Sequence, residues 1–391
     1  MIYKILMVSI LFSVTAWAQP FFKEEPVFPY QNKHVHASSI VETVSGDLLV
    51  CWFHGSGERT ADDVEIQGSR LQKGLNSWEP VFLMADTPGF PDCNPVLYID
   101  NKNRLWLFWV VVQAHRWEQS ILKYRISENY GSGGAPLWKW QDIINLKPGE
   151  AFAAAVKTGF DQNATEAVWA EYAPTYADLI IDAATDPAKR QIGWMTRIHP
   201  FVLASGRILL PLYSDGFCLG LVAISDDQGQ TWRASLPMVG PGLNQPSIIQ
   251  KKDGTLLAYM RDEGPSPGRV LLSTSTDNGE SWSYAQKTDL PNPSASLEVI
   301  RLNDGRWVMV YNDKDSGEGR YSLAAALSDD EGQSWKWKKH VAYDAGKTMS
   351  FSYPSVIQTR DGLIHVTYSF RDGERKTIKH AVFNIDWIKQ E

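Results

Sequence analysis

The chain has 391 residues, a formal net charge of −7 and an aromatic content of 12%. A chain of this length can bury a large apolar core, and repeat folds of this size form one domain. The acidic balance argues against a nucleic-acid partner, because such partners need a basic surface. No segment is apolar for long enough to cross a bilayer, so no membrane partner is expected.

The first residues have the pattern of an export signal. Lys4 gives a positive start, residues 5–14 are apolar, and Ala16-Trp17-Ala18 resembles an A-x-A cleavage site. We therefore predict a signal peptide over residues 1–18. The mature chain, residues 19–391, is expected to be a single domain in the periplasm or outside the cell.

Six later segments share one pattern: a polar residue, a Pro or Ser, an apolar run, a short turn and a second apolar run. They are residues 36–53, 94–109, 199–213, 245–260, 296–311 and 353–370. Two β-rich runs around a Gly- or Asn-containing turn are typical of a β-hairpin. The sequence thus predicts six equivalent hairpins.

The interval between the second and third hairpins is about two repeats long. It contains an Ala-rich stretch, residues 149–191, with helical character. We interpret this stretch as a helical insertion on one repeat, and a degenerate seventh repeat is the alternative.

The phrase S-x-D-x-G-x-[ST]-W occurs three times, at residues 225–232, 275–282 and 328–335. Its Ser, Asp and Thr side chains suit a hydrogen-bonded turn, and its Trp suits the core. A repeat of 50 to 53 residues, with each hairpin followed by two more strands, indicates four-stranded antiparallel blades. The predicted fold is therefore all-β, a six-bladed β-propeller, with seven blades as the alternative.

Blade topology brings the starts of first strands and the ends of second strands to one face, opposite the Asp-containing turns. The polar residues at the starts of first strands are His36, Asn94, His199, Gln245, Ser296 and Tyr353, with Glu298 two positions after Ser296. Further polar residues at the same rim are Glu58, Arg59, His115, Arg116, Asp215, Arg261, Asp262, Asp313 and Arg371, with Arg269 and Arg320 opening third strands. Several guanidinium groups around one pocket suit a substrate carboxylate, which arginine binds through two hydrogen bonds.

On these repeated phrases and this residue column, the chain resembles the sialidase (neuraminidase) superfamily over nearly all of its mature length. The resemblance implies a six-bladed propeller, three arginines on the substrate carboxylate, an aspartate acid, and a tyrosine nucleophile activated by a glutamate. It implies that Asp62 or Asp63 is the acid, that Tyr353 is the nucleophile and that Glu298 is its partner. Arg261 (or Arg269) and Arg320 match two of the arginines. The chain departs from the pattern at the family's Phe-Arg-Ile-Pro motif, where His36 stands at the arginine's place.

Four functions follow as hypotheses. The first is an exo-acting glycoside hydrolase that removes a terminal acidic sugar from an oligosaccharide or polysaccharide. The second is a lyase or dehydratase that performs β-elimination on a uronic-acid polymer through His36, His199, His115 or Tyr353. A rhamnosidase-type enzyme that works through His36 and a non-catalytic glycan-binding propeller are the others. The expected substrate-binding residues are Arg59, Asn94, His115, Arg116, Gln245, Arg261 and Arg320. The histidine spacings show no H-x-x-x-H pair, so no metal or other cofactor is expected.

Overall fold

The computed structural model describes residues 19–163, 169–174 and 177–390. Within these residues there are six antiparallel sheets of four strands each. In five of them the strands follow one another in sequence, so each sheet is a simple meander. The prediction of a six-bladed propeller is confirmed, and the seven-bladed alternative is wrong. The predicted signal peptide, residues 1–18, lies outside the described residues.

The strands are numbered in chain order, and the first belongs to the last blade. The first strand and blade 1 comprise β1 (Phe22–Pro26), β2 (His34–Glu42), β3 (Leu48–Gly55), β4 (Glu65–Leu71) and β5 (Phe82–Ala85). Blades 2 and 3 comprise β6 (Asp92–Ile99), β7 (Leu105–Val112), β8 (Ser120–Ser127), β9 (Trp140–Ile143), β10 (Phe201–Val202), β11 (Ile208–Ser214), β12 (Leu219–Ser225) and β13 (Arg233–Ala234). Blades 4 and 5 comprise β14 (Leu243–Gln250), β15 (Leu256–Asp262), β16 (Arg269–Ser275), β17 (Gln286–Pro291), β18 (Glu298–Arg301), β19 (Trp307–Tyr311), β20 (Ser322–Ser328) and β21 (Trp337–Tyr343). Blade 6 comprises β22 (Met349–Gln358), β23 (Ile364–Asp372) and β24 (Arg375–Phe383).

The ring is closed by the two ends of the described chain. β1 pairs antiparallel with β24, with Phe22 opposite Phe383, and so becomes the outer strand of blade 6. A final helix, Ile385–Lys389, covers this joint. The ring of its Trp387 stacks on the ring of Phe22, with centroids 4.6 Å apart. Closure by strands from both ends of the chain ties the first and last blades together.

The described part of the long interval between β9 and β10 contains three helices. They are α1 (Glu150–Gln162), α2 (Ala177–Thr185) and α3 (Pro187–Arg190), and a fourth, α4 (Ile385–Lys389), ends the described chain. Phe152 of α1 contacts Phe217 at the β11–β12 turn, with ring centroids 5.7 Å apart. The apolar face of α1 therefore docks on blade 3, on the side of the molecule where second strands end.

The three Asp-containing phrases form the turns between third and fourth strands. In the first of them, Asp227 accepts hydrogen bonds from the Ser225 hydroxyl (2.9 Å), the Thr231 amide (2.9 Å) and the Thr231 hydroxyl (2.6 Å). Gly229 has a φ of +84° and packs closely against Trp106 of the neighbouring blade, so a side chain at this position would be strained and would clash. These turns stabilise the fold at the ends of third strands, away from the starts of first strands.

Neighbouring blades are joined by one repeated hydrogen bond. In three blades a serine of the first strand, Ser39, Ser247 or Ser355, accepts from a first-strand amide of the next blade. In blade 5 the equivalent residue is Glu298, which accepts from the Val356 amide at 2.7 Å. The centre of the ring beneath the rim is thus a buried polar network, and we refer to these four contacts as the inter-blade bonds.

The three cysteines of the chain lie in the core. Cys51, Cys93 and Cys218 are buried free thiols. Among the described residues no helix is long and apolar enough to cross a membrane.

Candidate active site

A cavity of about 580 Å³ opens at the face where first strands begin and second strands end. All six blades and the insertion contribute to its wall. The lining residues used below are His36, Glu58, Arg59, Asn94, Trp117, Trp169, Glu171, Tyr213, Asp215, Asn244, Gln245, Arg261, Glu263, Arg320, Tyr353, Arg371 and Lys376. Seven residues predicted from the sequence to be functional are therefore brought together: His36, Arg59, Asn94, Gln245, Arg261, Arg320 and Tyr353.

A repeated backbone irregularity aims side chains into this cavity. Ala37, Asn94, Gln245 and Tyr353 all have φ between +52° and +58°, and a β-bulge interrupts the first strand at each of them. A positive φ is strained for a bulky residue such as tyrosine, and bulges next to active sites commonly redirect a side chain. The bulges turn Asn94, Gln245 and Tyr353 out of the strand pleat toward the centre of the ring.

Tyr353 is at the centre of the site. Its hydroxyl oxygen accepts hydrogen bonds from Arg261 Nη1 at 2.7 Å and from Gln245 Nε2 at 3.2 Å. Two N–H donors, one of them cationic, favour negative charge on that oxygen. The hydroxyl is thus prepared to act as a nucleophile or as an acid.

Positive charge surrounds the ring of Tyr353. The guanidinium carbons of Arg197 and Arg320 lie 5.1 Å and 5.4 Å from its centroid, within the range of cation–π attraction. Arg261 is anchored by an ion pair with Glu263 and a 3.0 Å hydrogen bond to Ser294. This cluster makes the floor of the cavity suitable for a carboxylate.

His36 packs against Tyr353, with ring centroids 4.0 Å apart, and its Nδ1 lies 2.8 Å from the Ser369 hydroxyl. Burial lowers the pKa of His36 well below its ordinary value, and the positive charges of His34 and the neighbouring arginines lower it further. His36 is therefore neutral at physiological pH, so one of its ring nitrogens carries no proton.

Carboxyl groups form another part of the wall. Asp215, at the end of β11, accepts a 3.0 Å hydrogen bond from Asn244. Burial raises the pKa of Asp215 to about 7, with Arg261 opposing the rise and Glu263 adding to it. Glu58 and Glu171 also line the cavity. The site therefore holds acidic groups as well as arginines.

Two residues predicted to be catalytic, Glu298 and His199, lie outside the cavity lining. Glu298 accepts from His199 Nδ1 at 2.6 Å as well as from the Val356 amide, and Tyr353 is not among its hydrogen-bond partners in the described chain. His199 Nε2 lies 3.0 Å from the Ile40 carbonyl oxygen, so both ring nitrogens face acceptors. This pair lies beneath the site, where the contact of Glu298 with the Val356 amide is one of the inter-blade bonds.

The remaining predicted residues lie outside the cavity lining, on loops and, for Arg269, at the start of β16. Asp62 contacts His115 at 2.7 Å, and Asp63 accepts from Ser56 and Lys33. Arg116 forms an ion pair with Glu118. Arg269, the alternative to Arg261, pairs with Asp315 at 2.8 Å. The choice between the two arginines thus falls on Arg261, which contacts Tyr353.

Several site residues were not predicted. Arg197 is 2% exposed and lies below Tyr353, where its Nη atoms donate to the Ser38 and Pro354 carbonyl oxygens. Trp117 supports Arg59, whose guanidinium carbon is 5.5 Å from its ring. Trp169 and Glu171 come from the insertion. Arg197 precedes a very short first strand, so the hairpin pattern gave no signal for it.

A ring of blades with Asp-containing turns, and an arginine-lined cavity around a tyrosine, define a propeller of the sialidase class. Residues 46–158 and 185–366 match the family described as BNR repeat-like domain. The match covers more than half of the chain. The chain therefore belongs to the BNR repeat-like family and is a divergent member of the sialidase superfamily.

Known proteins are similar over different shares of their length. A sialidase of Micromonospora viridifaciens is 30% identical over 172 residues, which are 42% of this chain and 25% of that protein. A Dyadobacter fermentans protein of unknown function has a TM-score of 0.67 at 14% identity, covering 93% of this chain and 99% of its own. The leech intramolecular trans-sialidase bound to 2,7-anhydro-Neu5Ac has a TM-score of 0.67 at 15% identity, covering 96% and 71%. At these identities the two structures show the fold alone.

The chain spans about a quarter of the length of the curated relatives that it matches, since the aligned regions cover 25% of the Micromonospora protein and 25% of a Macrobdella decora anhydrosialidase. The activities of those larger proteins are therefore hypotheses for this chain.

Proposed function

We propose that the protein is a sialidase-like exo-glycoside hydrolase that removes a terminal acidic sugar from an oligosaccharide or polysaccharide. The observation that carries the proposal is the position of the Tyr353 hydroxyl. It accepts a 2.7 Å hydrogen bond from Arg261 and lines a cavity of about 580 Å³. A tyrosine suits attack on an anomeric carbon that bears a carboxylate, because a neutral nucleophile is repelled less than a second carboxylate would be.

In this proposal Arg261 and Arg320 hold the substrate carboxylate, and Arg59 extends the basic wall toward the rim. Tyr353 attacks the anomeric carbon, and the neutral imidazole of His36 accepts the phenol proton. The donors on the Tyr353 oxygen stabilise the negative charge that develops there before the new bond forms. Water then releases the sugar from Tyr353 in a second step.

The test uses a methylumbelliferyl α-glycoside of N-acetylneuraminic acid and a sialylated oligosaccharide. Release of fluorophore and of free or anhydro sugar is expected from the wild type and not from Tyr353→Phe. Tyr343→Phe is the matched control, because Tyr343 is exposed on blade 5 and lies outside the cavity. A wild type that leaves every acidic glycoside intact contradicts the proposal.

β-Elimination on a uronate is a second candidate, which two observations favour. In the described part of the chain Tyr353 is not among the hydrogen-bond partners of Glu298, and the neutral ring of His36 packs against Tyr353. In this reaction an arginine neutralises the uronate carboxylate, one of His36 and Tyr353 removes the C5 proton, and the other protonates the leaving oxygen as its bond to C4 breaks. Ultraviolet absorbance of a new C4–C5 double bond, without water consumed, would identify it.

Export is part of the proposal, since acidic glycans of this kind are encountered outside the cytoplasm. It is supported only by the predicted leader, residues 1–18. Amino-terminal sequencing of the protein recovered outside the cytoplasm tests it, with Gln19 expected as the first residue.

A further inference from the structure

The proposed hydrolysis needs a group that protonates the leaving oxygen, and the exposed loop aspartates fit this role poorly. The side chains of Asp62 and Asp63 are 59% and 45% exposed and lie outside the cavity lining. Hydrogen bonds from Ser56, together with Lys33, lower the pKa of Asp63 to about 2, so it holds no proton at neutral pH.

Glu58 differs from both aspartates. It lies on the same loop, three residues after β3 ends, but its side chain lines the cavity. Among the described residues its carboxyl group has no hydrogen-bond or ion-pair partner, whereas Asp215 is bound by Asn244. A carboxyl group that faces a substrate cavity without a protein partner is free to bond to a ligand.

We propose that Glu58 is the general acid and base of this site, an assignment that rests on the proposed hydrolase function. Glu58 lines the same cavity as Tyr353, Arg261 and Arg320, the residues proposed to attack the sugar and to hold its carboxylate. Burial raises the pKa of Glu58, and Arg59, Arg320 and Arg261 oppose that rise. A raised pKa favours the protonated form that a general acid needs.

The chemistry balances in two steps. Glu58 donates its proton to the glycosidic oxygen, which takes the electron pair of the breaking C–O bond and leaves as an alcohol. Tyr353 forms a bond to the anomeric carbon as its own proton passes to His36. In the second step the Glu58 carboxylate removes a proton from water, whose oxygen displaces Tyr353, and Tyr353 recovers its proton from His36.

The experiment compares leaving groups in Glu58→Gln. The first substrate is a p-nitrophenyl α-glycoside of N-acetylneuraminic acid, whose phenolate leaves without protonation. The second is sialyllactose, whose sugar alcohol must be protonated. We expect kcat/KM for sialyllactose to fall about 10² to 10⁴-fold, the usual contribution of a general acid, and kcat/KM for the nitrophenyl glycoside to fall far less. The basic limb of the wild-type pH profile is expected to disappear.

Glu65→Gln is the matched control, because Glu65 is on β4 of the same blade and lies outside the cavity lining. It is expected to leave both rates and the pH profile unchanged. Thermal unfolding of Glu58→Gln confirms that the variant is folded.

Three outcomes overturn the assignment. An active wild type with equal losses on both substrates in Glu58→Gln shows a binding role instead. A selective loss on sialyllactose in Asp62→Asn or Asp215→Asn, but not in Glu58→Gln, assigns the general-acid role to the aspartate whose variant shows it. A wild type that cleaves neither substrate rejects the hydrolase function itself, and the Glu58 assignment with it.

Discussion

Substitution of Glu298, the residue below Tyr353, shows whether its role is catalytic or structural. Its carboxylate accepts hydrogen bonds from His199 Nδ1 at 2.6 Å and from the Val356 amide at 2.7 Å, and it is 2% exposed. In Glu298→Gln only one amide oxygen remains to accept, so one donor faces the NH₂ group and stays unpaired. An unpaired buried donor costs about 1–3 kcal/mol, and loss of the charge opposite His199 and Arg197 adds to this. We expect a loss of about 3 kcal/mol in the free energy of unfolding.

The matched variant is Ser247→Ala, which removes one neutral inter-blade bond and should cost about 1 kcal/mol. The unfolding entropy of a folded chain is about 2.1 cal/mol/K per residue, or about 0.8 kcal/mol/K for this length. Glu298→Gln should therefore lower the thermal midpoint by about 4 °C, and Ser247→Ala by about 1 °C, in a calorimetric scan.

The difference in stability between the wild type and Glu298→Gln should depend on pH in a defined direction. Burial would raise the pKa of Glu298, but His199, the Val356 amide and Arg197 lower it overall below its ordinary value of 4.5. The stability that the carboxylate contributes is therefore complete above pH 4.5 and is lost as the pH falls through the lower folded value. The gap between wild type and Glu298→Gln should narrow in acid. An unchanged midpoint at pH 7, together with a large loss of activity, would refute the structural role and make Glu298 the partner of Tyr353.

Two more predictions concern buried charges near the site. Burial raises the pKa of Asp215 to about 7, so the stability that this carboxyl group contributes is complete below its ordinary value of 3.8 and is lost as the pH rises through 7. Asp215→Asn keeps an acceptor for Asn244, so it should be more stable than the wild type at pH 8, by about 2 kcal/mol after a discount for solvent, in urea unfolding. Stability curves that stay parallel from pH 4 to 8 would contradict this. Arg197→Met should lower kcat about tenfold with KM little changed, since Arg197 acts on Tyr353 from outside the cavity; an increase in KM alone would indicate that Arg197 binds substrate.

The fold could be predicted because it is encoded in local repeats. Each of the six hairpins has its own turn residues and apolar runs, and the Asp-containing turns recur in the same place in three blades. The face on which the site lies then followed from blade topology. The column of residues at first-strand starts predicts that His36, Asn94, Gln245 and Tyr353 share one cavity, as they do in the structure.

The pairing of side chains within the site could not be predicted in the same way. Sequence spacing placed Glu298 beneath the rim, but its partner depends on the inter-blade bonds, in which blade 5 uses a carboxylate where other blades use serine. Glu58 and Asp62 lie four residues apart on one loop, and only the loop conformation decides which of them enters the cavity. The partner of Glu298 and the conformation of the loop with Glu58 and Asp62 both depend on contacts between segments distant in sequence.

His36 stands where the family's Phe-Arg-Ile-Pro motif has its arginine, and the structure explains this replacement better than the sequence does. His36 is neutral, so it cannot supply the missing charge. Arg197 restores positive charge 5.1 Å from the Tyr353 ring, but its Nη atoms are bonded to the Ser38 and Pro354 carbonyl oxygens below the cavity floor. It can therefore stabilise charge on Tyr353 without gripping a substrate carboxylate. In the proposed mechanism Arg197 below the ring stabilises the nucleophile and the arginines above it bind the carboxylate, while the neutral imidazole of His36 is in direct contact with Tyr353.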